Sequence, residues 1–207
     1  MTAPVADDVT VVVLAGGASR RFGSDKLAAR LRGSTVLDLL LSGLPAQWRV
    51  VAVGPRRPTV RLVDWALEEP PGGGPLAGIQ AGLALVGTDL VAVVGGDMPF
   101  AGAALLDLVE VLRTAPPDVA AAVGTDGGVA NPLLAVYRAA AVREALPRPS
   151  HGRAARSLLA LPHVEVRVVD VASRDVDTPS DLEALDGPER LDQPGPGTRT
   201  GVAPPGE

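Results

Sequence analysis

Short runs of β-branched apolar residues alternate along the chain with longer stretches in which apolar residues recur every three or four positions. A short, uninterrupted apolar run is typical of a strand buried on both faces, and the longer period is typical of a helix that packs on one side. The runs predict strands at residues 10–15, 48–53, 89–94, 118–124, 129–137 and 164–170, with a weaker apolar segment at 60–67.

The periodic stretches predict helices between these strands, at residues 36–43, 75–86, 101–114, 138–146, 152–161 and 179–185. Ser34-Thr35 offers an N-cap to the first helix, and Pro75 stands in a first turn, where proline is tolerated. Thr178 and Asp181 come close to a capping box. Strands that alternate with helices predict an α/β layered fold with a mostly parallel sheet, into which the hairpin at 125–137 brings one antiparallel strand.

The composition suits one domain with an aliphatic core. Hydrophobic residues make up 46% of the chain, but only five residues are aromatic, so valine, leucine and alanine must build the core. We expect one domain over residues 1–186. From Gly187 onward almost no large apolar residue remains to offset the entropy of ordering, so residues 187–207 are predicted to form a disordered tail.

Charge and cysteine content exclude several classes of function. The net charge of −5 gives no attraction to nucleic acid or to an anionic membrane, and neither is an expected partner. Without cysteine, the chain has no disulfide, no zinc-thiolate site and no cysteine nucleophile. The first ten residues include Asp7 and Asp8 and no basic leader, and no apolar run approaches the ~20 residues of a membrane span. We expect a cytoplasmic protein.

Glycines and basic residues follow the first predicted strand, between Gly16 and Lys26. Ligands gather at the carboxyl ends of strands in open α/β sheets, and glycines let backbone amides approach phosphates closely. The segment matches neither a Walker A loop nor a G-x-G-x-x-G dinucleotide loop. Lys26 is the only lysine among nineteen basic residues, and it would supply a compact charge to a phosphate. The alternative to a phosphate-binding role is that Lys26 is a surface lysine that remains by chance.

Other polar residues lie at positions that suit a nucleotide site. Asp97 follows the central apolar strand, where a hard cation would bridge it to phosphates, although such an aspartate also caps turns. Asp177 is a second candidate metal ligand, or a residue favoured by a helix dipole. The loop at 72–76 would pack against a base or ribose, with the amides that open the next helix receiving polar ligand groups, or be a flexible turn. Asn131, before a proline, would contact an acceptor, or form a turn.

Five segments in the same order resemble the nucleotidyltransferases of molybdenum cofactor biosynthesis, most closely the molybdenum cofactor guanylyltransferases. The likeness covers roughly residues 10–186, and each segment alone is weakly specific. The segments are Leu14-Ala15-Gly16-Gly17-Ala18-Ser19-Arg20-Arg21-Phe22-Gly23-Ser24-Asp25-Lys26, with Phe22 where methionine is usual, Gly74-Pro75-Leu76-Ala77-Gly78, Gly96-Asp97-Met98-Pro99-Phe100, Asn131-Pro132-Leu133 and Asp177-Thr178-Pro179-Ser180-Asp181-Leu182.

This resemblance implies a three-layer, Rossmann-like nucleotidyltransferase fold. It also implies transfer of GMP from GTP to the phosphate of molybdopterin or the molybdenum cofactor, with release of pyrophosphate. Magnesium would be the cofactor, and transient contacts with proteins that deliver or receive the molybdenum cofactor are expected.

The resemblance also assigns roles by position. Lys26 would neutralise phosphate charge and Asp97 would bind magnesium. Arg21, from the charge of the loop, is expected to be catalytic with them, and Asp177 is the second expected metal ligand, although guanylyl-type relatives often carry asparagine at its position. Glu68 or Glu69 falls near an acidic position that contacts the nucleotide. The implied substrate-binding residues are Leu14, Ala15, Gly16, Gly17, Lys26, Glu69, Gly74, Pro75, Leu76, Gly78, Asp97 and Asn131.

The mechanism expected is in-line attack of an acceptor phosphate oxygen on the α-phosphorus. This needs alignment and charge neutralisation more than a general base. Three alternatives stay open: cytidylyl transfer to the same cofactor, nucleotidyl transfer to another small phosphorylated acceptor, and a nucleotide-binding module without catalysis. The doublet Gly16-Gly17 favours guanine, because the cytidine type usually has Ala-Ala-Gly there.

Overall fold

A seven-stranded sheet forms the centre of the computed structural model, which describes residues 8–17, 22–168 and 170–187. The strands are β1 (Val9–Leu14), β2 (Arg30–Leu31), β3 (Ser34–Thr35), β4 (Arg49–Val53), β5 (Asp64–Ala66), β6 (Leu90–Gly95), β7 (Ala121–Asp126), β8 (Val129–Arg138) and β9 (His163–Arg167). The α-helices are α1 (Val36–Gly43), α2 (Pro75–Leu83), α3 (Gly102–Thr114), α4 (Ala139–Ala145), α5 (Asp170–Ser173) and α6 (Pro179–Asp186). Lys26–Ala28 and Ala155–Ala160 form 3-10 turns.

The sheet has the order β5-β4-β1-β6-β8-β7-β9, while β2 and β3 form a separate hairpin. Strand β8 pairs antiparallel with β6 on one side and with β7 on the other, and the other pairs in the sheet are parallel. The predicted mostly parallel sheet with one antiparallel strand is therefore confirmed. The parallel strands β1 and β6 lie at the centre, so both of their carboxyl ends open at one edge.

Helices cover both faces of the sheet, which confirms the three-layer α/β architecture. Side chains alternate along β1: Val11 and Val13 belong to the core with α1 and α3, whereas Val12 belongs to the core with α2 and α4. A strand buried on both faces needs apolar residues at every position, which is the pattern of β1. Thr10 is the buried exception, and its hydroxyl accepts a hydrogen bond from the Thr88 hydroxyl at 2.9 Å.

Several predicted boundaries differ from the structure. The strand expected at 164–170 ends at Arg167, and Asp170 begins α5 instead. The stretch at 152–161 forms a 3-10 turn and not an α-helix, and the segment at 60–67 contributes only the three-residue β5. The predicted tail lies outside the described residues from position 188 onward and stays a prediction. In the described part of the chain, no helix is long and apolar enough to cross a membrane.

Candidate active site

A cleft of about 660 Å³ opens at the carboxyl ends of β1 and β6. Its lining is rich in glycine and proline and includes two acidic side chains. The lining residues are Leu14, Gly16, Gly17, Val53, Gly54, Pro55, Leu67, Glu68, Pro71, Gly72, Gly74, Pro75, Gly78, Gly95, Asp97 and Leu133. Because glycines expose backbone N–H groups, such a lining suits a planar, hydrogen-bonding ligand that carries phosphates.

Lys26 does not itself line this cleft, but it lies beside it, between the carboxylates of Asp97, which lines the cleft, and Asp177. Its Nζ donates to Asp97 Oδ2 at 2.6 Å and to Asp177 Oδ1 at 2.7 Å. Burial alone would lower the pKa of Lys26, but the hydrogen bonds to Asp177 and Asp97 outweigh it and raise the pKa above its ordinary value of 10.5. The ammonium group is therefore a permanent charge at neutral pH.

Three elements hold this group of charges. Lys26 starts a 3-10 turn whose N-cap is Asp25. Asp97 follows β6, where Gly96 N–H donates to the Leu14 carbonyl at 3.0 Å and so ties the two central strands together beyond their ends. The segment before α6 joins them, since Val176 N–H donates to the Asp97 carbonyl at 2.9 Å.

The capping box at the start of α6 fixes the position of Asp177. The Asp181 carboxylate accepts from the backbone N–H groups of Asp177 at 3.1 Å and of Thr178 at 2.7 Å, while the Thr178 hydroxyl accepts from the N–H of Asp181. These bonds confirm the predicted cap and N-terminus of α6. Because Asp181 caps the helix, the side chain of Asp177 is left to contact Lys26.

Asp175 joins Asp97 and Asp177 in an acidic group that the sequence did not indicate. One carboxylate oxygen from each of the three lies within 4.8 Å of the others. Partial burial and then the negative charges of Asp177 and Asp97 raise the pKa of Asp175. Such a raised pKa indicates carboxylates that repel one another and gain from a cation among them. The spacing of Asp175 two residues before Asp177 was the available signal.

Most of the predicted nucleotide-binding residues reach the cleft. Leu14, Gly16, Gly17, Gly74, Pro75, Gly78 and Asp97 line it. Ala15 and Leu76 do not, because both side chains are fully buried, Leu76 among the core residues packed around α2. Ala15 contributes only backbone groups beside the cleft. Arg21 lies outside the described residues.

Of the two glutamates considered, the structure brings Glu68 into the cleft and leaves Glu69 exposed. Glu68 Oε1 accepts from the N–H of Gly72 at 2.8 Å, which turns the carboxylate toward the glycine loop. The second oxygen, Oε2, lies near Gly78, since a Cβ built on that glycine would be 3.4 Å from it. The assignment of Glu69 to this cleft is therefore corrected to Glu68.

Asn131 also lies away from the nucleotide cleft. It lines a second cleft of about 410 Å³ together with Thr125, Asp126 and Asp175. Its Oδ1 accepts from the N–H of Leu133 at 2.9 Å, which is the turn chemistry that the following proline suggested. Since Asp175 belongs both to this cleft and to the acidic group, the two clefts meet at the carboxylates.

Comparisons with known proteins agree with this architecture. Residues 11–168 match the family described as MobA-like NTP transferase domain. A probable molybdenum cofactor guanylyltransferase of Deinococcus radiodurans is 31% identical over 86% of this chain and 94% of its own. The molybdenum cofactor guanylyltransferase of Mesorhizobium japonicum is 35% identical over 84% and 93%.

A solved structure shows the same fold at low identity. The molybdopterin-guanine dinucleotide biosynthesis protein A of Archaeoglobus fulgidus superposes with a TM-score of 0.65 and 23% identity, over 86% of this chain and 96% of that one. The family match and the two relatives each span most of the chain. The chain therefore belongs to the MobA-like NTP transferase family, among the molybdenum cofactor guanylyltransferases, and is a nucleotidyltransferase.

Proposed function

We propose that the protein transfers GMP from GTP to the phosphate of molybdopterin or its molybdenum-loaded form and releases pyrophosphate. The observation that carries the proposal is the Lys26 ammonium, held 2.6 and 2.7 Å from two carboxylates beside a glycine-lined cleft. The curated relatives from Deinococcus and Mesorhizobium, which align over most of the chain, bear the name of this activity.

The cleft lined by Glu68 suits the guanine base and the ribose. Guanine presents two adjacent N–H donors on its pairing edge, and a carboxylate with two oxygens is their natural acceptor. Cytosine presents one exocyclic donor beside an acceptor, which a carboxylate would repel. Glu68 Oε2, near Gly78, would accept one of these donors, and Oε1, which accepts from Gly72 N–H, keeps a second lone pair for the other.

The second cleft, lined by Asn131 and Thr125, suits the acceptor. It meets the nucleotide cleft at the acidic group, so an acceptor phosphate bound there would lie beside the α-phosphate. Such an arrangement aligns two reactants in one site, which accounts for a large part of the rate gain in two-substrate transfers.

The acidic group also fits a magnesium ion. Asp97 and Asp177, with Asp175 beside them, offer the oxygen ligands that a hard cation prefers, and the ammonium group of Lys26 already lies between the first two. Bound to these residues, magnesium supplies Lewis-acid neutralisation of the triphosphate charge.

The protein's own groups perform the rest of the reaction. An acceptor phosphate oxygen forms a bond to the α-phosphorus of GTP while the bond from that phosphorus to the bridging oxygen of pyrophosphate breaks. Lys26 stabilises the charge that gathers on the phosphates, and Arg21 would assist it. A phosphate oxygen is nucleophilic at neutral pH, so no residue needs to remove a proton.

Pyrophosphate release with each of the four triphosphates, magnesium and molybdopterin tests this function. We expect release with GTP that depends on the acceptor. Release with CTP in place of GTP would identify a cytidylyltransferase, and release with GTP and sugar phosphates but not molybdopterin would identify a different acceptor. Binding of GTP without any release would support a non-catalytic module.

Substitutions at Lys26 and Asp97 test the assigned roles. We expect Lys26→Ala and Asp97→Ala each to lower kcat by about 100-fold or more, because each removes a charge that stabilises the transition state. Both variants should remain folded by circular dichroism, since their side chains lie at the rim of the core. Turnover close to that of the unmodified protein in either variant would contradict the mechanism.

A further inference from the structure

Arg57 joins the two ends of the segment that leads from β1 to Lys26. Its Nε and Nη2 donate to Asp25 Oδ2 and Oδ1 at 2.8 and 3.2 Å, and its Nη1 donates to the carbonyl of Ala15 at 2.8 Å. The side chain of Arg57 is 16% exposed and that of Asp25 is 43% exposed. A bidentate arginine–carboxylate pair fixes both the distance and the orientation of the two side chains, which a single hydrogen bond does not.

The backbone around Arg57 is shaped for this contact. Ala15 N–H donates to the Val53 carbonyl at 2.9 Å, so the chain after β4 runs beside the end of β1. A Cβ on Gly54 would lie 2.6 Å from the Ala15 carbonyl oxygen, and Gly54 has a φ of +143°. Only glycine fits such a close approach at that φ, and it places Arg57 within reach of Ala15.

Asp25 also anchors the 3-10 turn that contains Lys26. Its Oδ1 accepts from the N–H of Leu27 at 3.2 Å, and its carbonyl accepts from the N–H of Ala28 at 3.1 Å. Lys26 lies between Asp25 and these two anchored amides. The contacts therefore run from the end of β1 through Arg57 and Asp25 to the ammonium group at Asp97 and Asp177.

We infer that Arg57 is a positioning residue for nucleotidyl transfer: through Asp25 it sets the place of Lys26 relative to the end of β1. This inference rests on the proposed function. Two other roles are open to an arginine here, namely a direct contact with the phosphates and a purely structural ion pair, and the experiment separates them.

The experiment compares Arg57→Ala, Asp25→Ala and the double variant with the unmodified protein. We expect each single variant to lower kcat/KM for GTP by about 10- to 100-fold, because displacement of a charged group by about 1 Å has effects of this size. The double variant should be no worse than either single one, since both remove the same link. Arg57→Lys, which keeps the charge but loses the planar fork, should recover only part of the loss.

The more exposed pair between Arg49 and Asp64 is the control. It has the same Nε to Oδ2 distance of 2.8 Å, and it lies at the amino end of β4, away from the cleft. Arg49→Ala and Asp64→Ala should leave kcat/KM for GTP unchanged. Equal losses in both pairs would show that any arginine–aspartate pair supports activity through stability alone, and would overturn the inference.

The outcomes separate the three roles of Arg57. Were it a direct phosphate ligand, Asp25→Ala would release it and preserve activity, and the double variant would lose only as much as Arg57→Ala alone. Normal kcat/KM in Arg57→Ala would exclude positioning altogether.

A readout that needs no turnover keeps this inference apart from the proposed function. Hydrogen exchange at the amides of Leu27 and Ala28 should become faster in Arg57→Ala and not in Arg49→Ala. Unchanged exchange there overturns the positioning role, even if guanylyl transfer is confirmed. Faster exchange together with no transfer by the unmodified protein would contradict the proposed function and not the link through Asp25.

Discussion

Glu68 and Glu69 are neighbours in the chain, yet only the first lines the cleft. They are therefore a matched pair for testing guanine recognition. Glu68→Gln keeps the oxygen that accepts from Gly72 N–H, but it replaces the second carboxylate oxygen by a group that can donate. We expect KM for GTP to rise about 10- to 100-fold, which corresponds to a hydrogen bond to a charged group.

The glutamate on the surface provides the control. Glu69→Gln removes the same charge one residue away and should leave KM for GTP unchanged. The measurement is initial-rate kinetics with GTP and, separately, with CTP. A similar rise in KM for both variants would mean that overall charge near the cleft, and not a contact with the base, causes the effect.

Asp25 gives a pH dependence whose direction follows from its partner. The hydrogen bonds from Arg57 hold the pKa of Asp25 below its ordinary value of 3.8, although burial opposes them. A depressed folded-state pKa stabilises the protein above the unfolded-state pKa, and this contribution is lost as pH falls through the folded-state pKa. Asp25→Asn should therefore lower the free energy of unfolding at about pH 7, and this difference should shrink as pH falls below the ordinary pKa of 3.8.

Urea unfolding at a series of pH values measures this difference. Because the side chain is 43% exposed, solvent screens the pair and we expect a modest effect. A difference between the two proteins that stays constant down to the lowest pH would contradict a contribution from the charge of Asp25.

Some residues far apart in sequence could be predicted to share one site, because the carboxyl ends of neighbouring parallel strands lie at the same edge of the sheet. Lys26 was inferred as the only lysine, in the loop that follows a strand, and Asp97 from its position at a strand end. Asp177 was a second candidate metal ligand beside the helix-start reading, and the structure brings the three together. Arg57 and Glu68 gave no comparable signal, because they lie in irregular loops where no period fixes which side chain faces inward. In such loops an adjacent residue of the same type, Arg56 or Glu69, is equally plausible from sequence.

Among the elements, α2 is the helix that positions the cleft, and its packing depends on a glycine. Pro75 begins α2, and Gly78 faces Leu14 and Glu68 at the cleft. One turn later, a Cβ on Gly82 would lie 2.5 Å from Cγ1 of the buried, β-branched Val12. Helix α2 can therefore pack this close to β1 only because residue 82 is glycine and has no side chain.

Gly82→Ala should destabilise the protein although alanine favours helix. Overpacking a core costs about 1–3 kcal/mol, which exceeds the roughly 1 kcal/mol that alanine gains in a helix. Gly87→Ala is the control, because a Cβ there meets nothing within 4 Å. Thermal unfolding should show a lower Tm for the first variant only; an unchanged or higher Tm would mean that α2 shifts away from β1 without penalty.

Hydrophobic periodicity predicted most elements to within a residue, but it misplaced the end of α2 and both ends of β7 and missed the shortest strands. Strands β1, β4 and β6 and helix α3 lie within a residue of their predicted bounds, because each buries a continuous apolar face. The hairpin of β2 and β3 has two residues in each strand, too few for a period. Its turn uses Arg32 and Gly33 at φ of 46° and 81°, and arginine is an unusual residue at such an angle.

At the scale of the whole molecule, helix α6 follows Asp177, the last residue of the candidate active site, and packs against the rest of the domain. Leu185 is buried in the core. The Asp186 carboxylate accepts from the backbone N–H of Arg32 at 2.8 Å, and the Leu185 carbonyl accepts from Arg32 Nε at 3.2 Å. Helix α6 thus fastens the hairpin of β2 and β3 to the segment that carries Asp177, so the site depends on contacts between residues 30–35 and residues 177–186.

Truncation tests where the domain ends. A chain that stops after Gly187 keeps α6 and should retain its Tm, and its kcat/KM for GTP should stay within about twofold, because residues beyond that point lack the apolar side chains needed for packing. A chain that stops after Thr178 loses Asp181, whose carboxylate fixes the backbone at Asp177, and it loses the burial of Leu185. It should unfold at a lower temperature and lose turnover. If the chain that stops after Gly187 also lost turnover, the polar tail would take part in binding the substrates. The domain would then extend beyond residue 186.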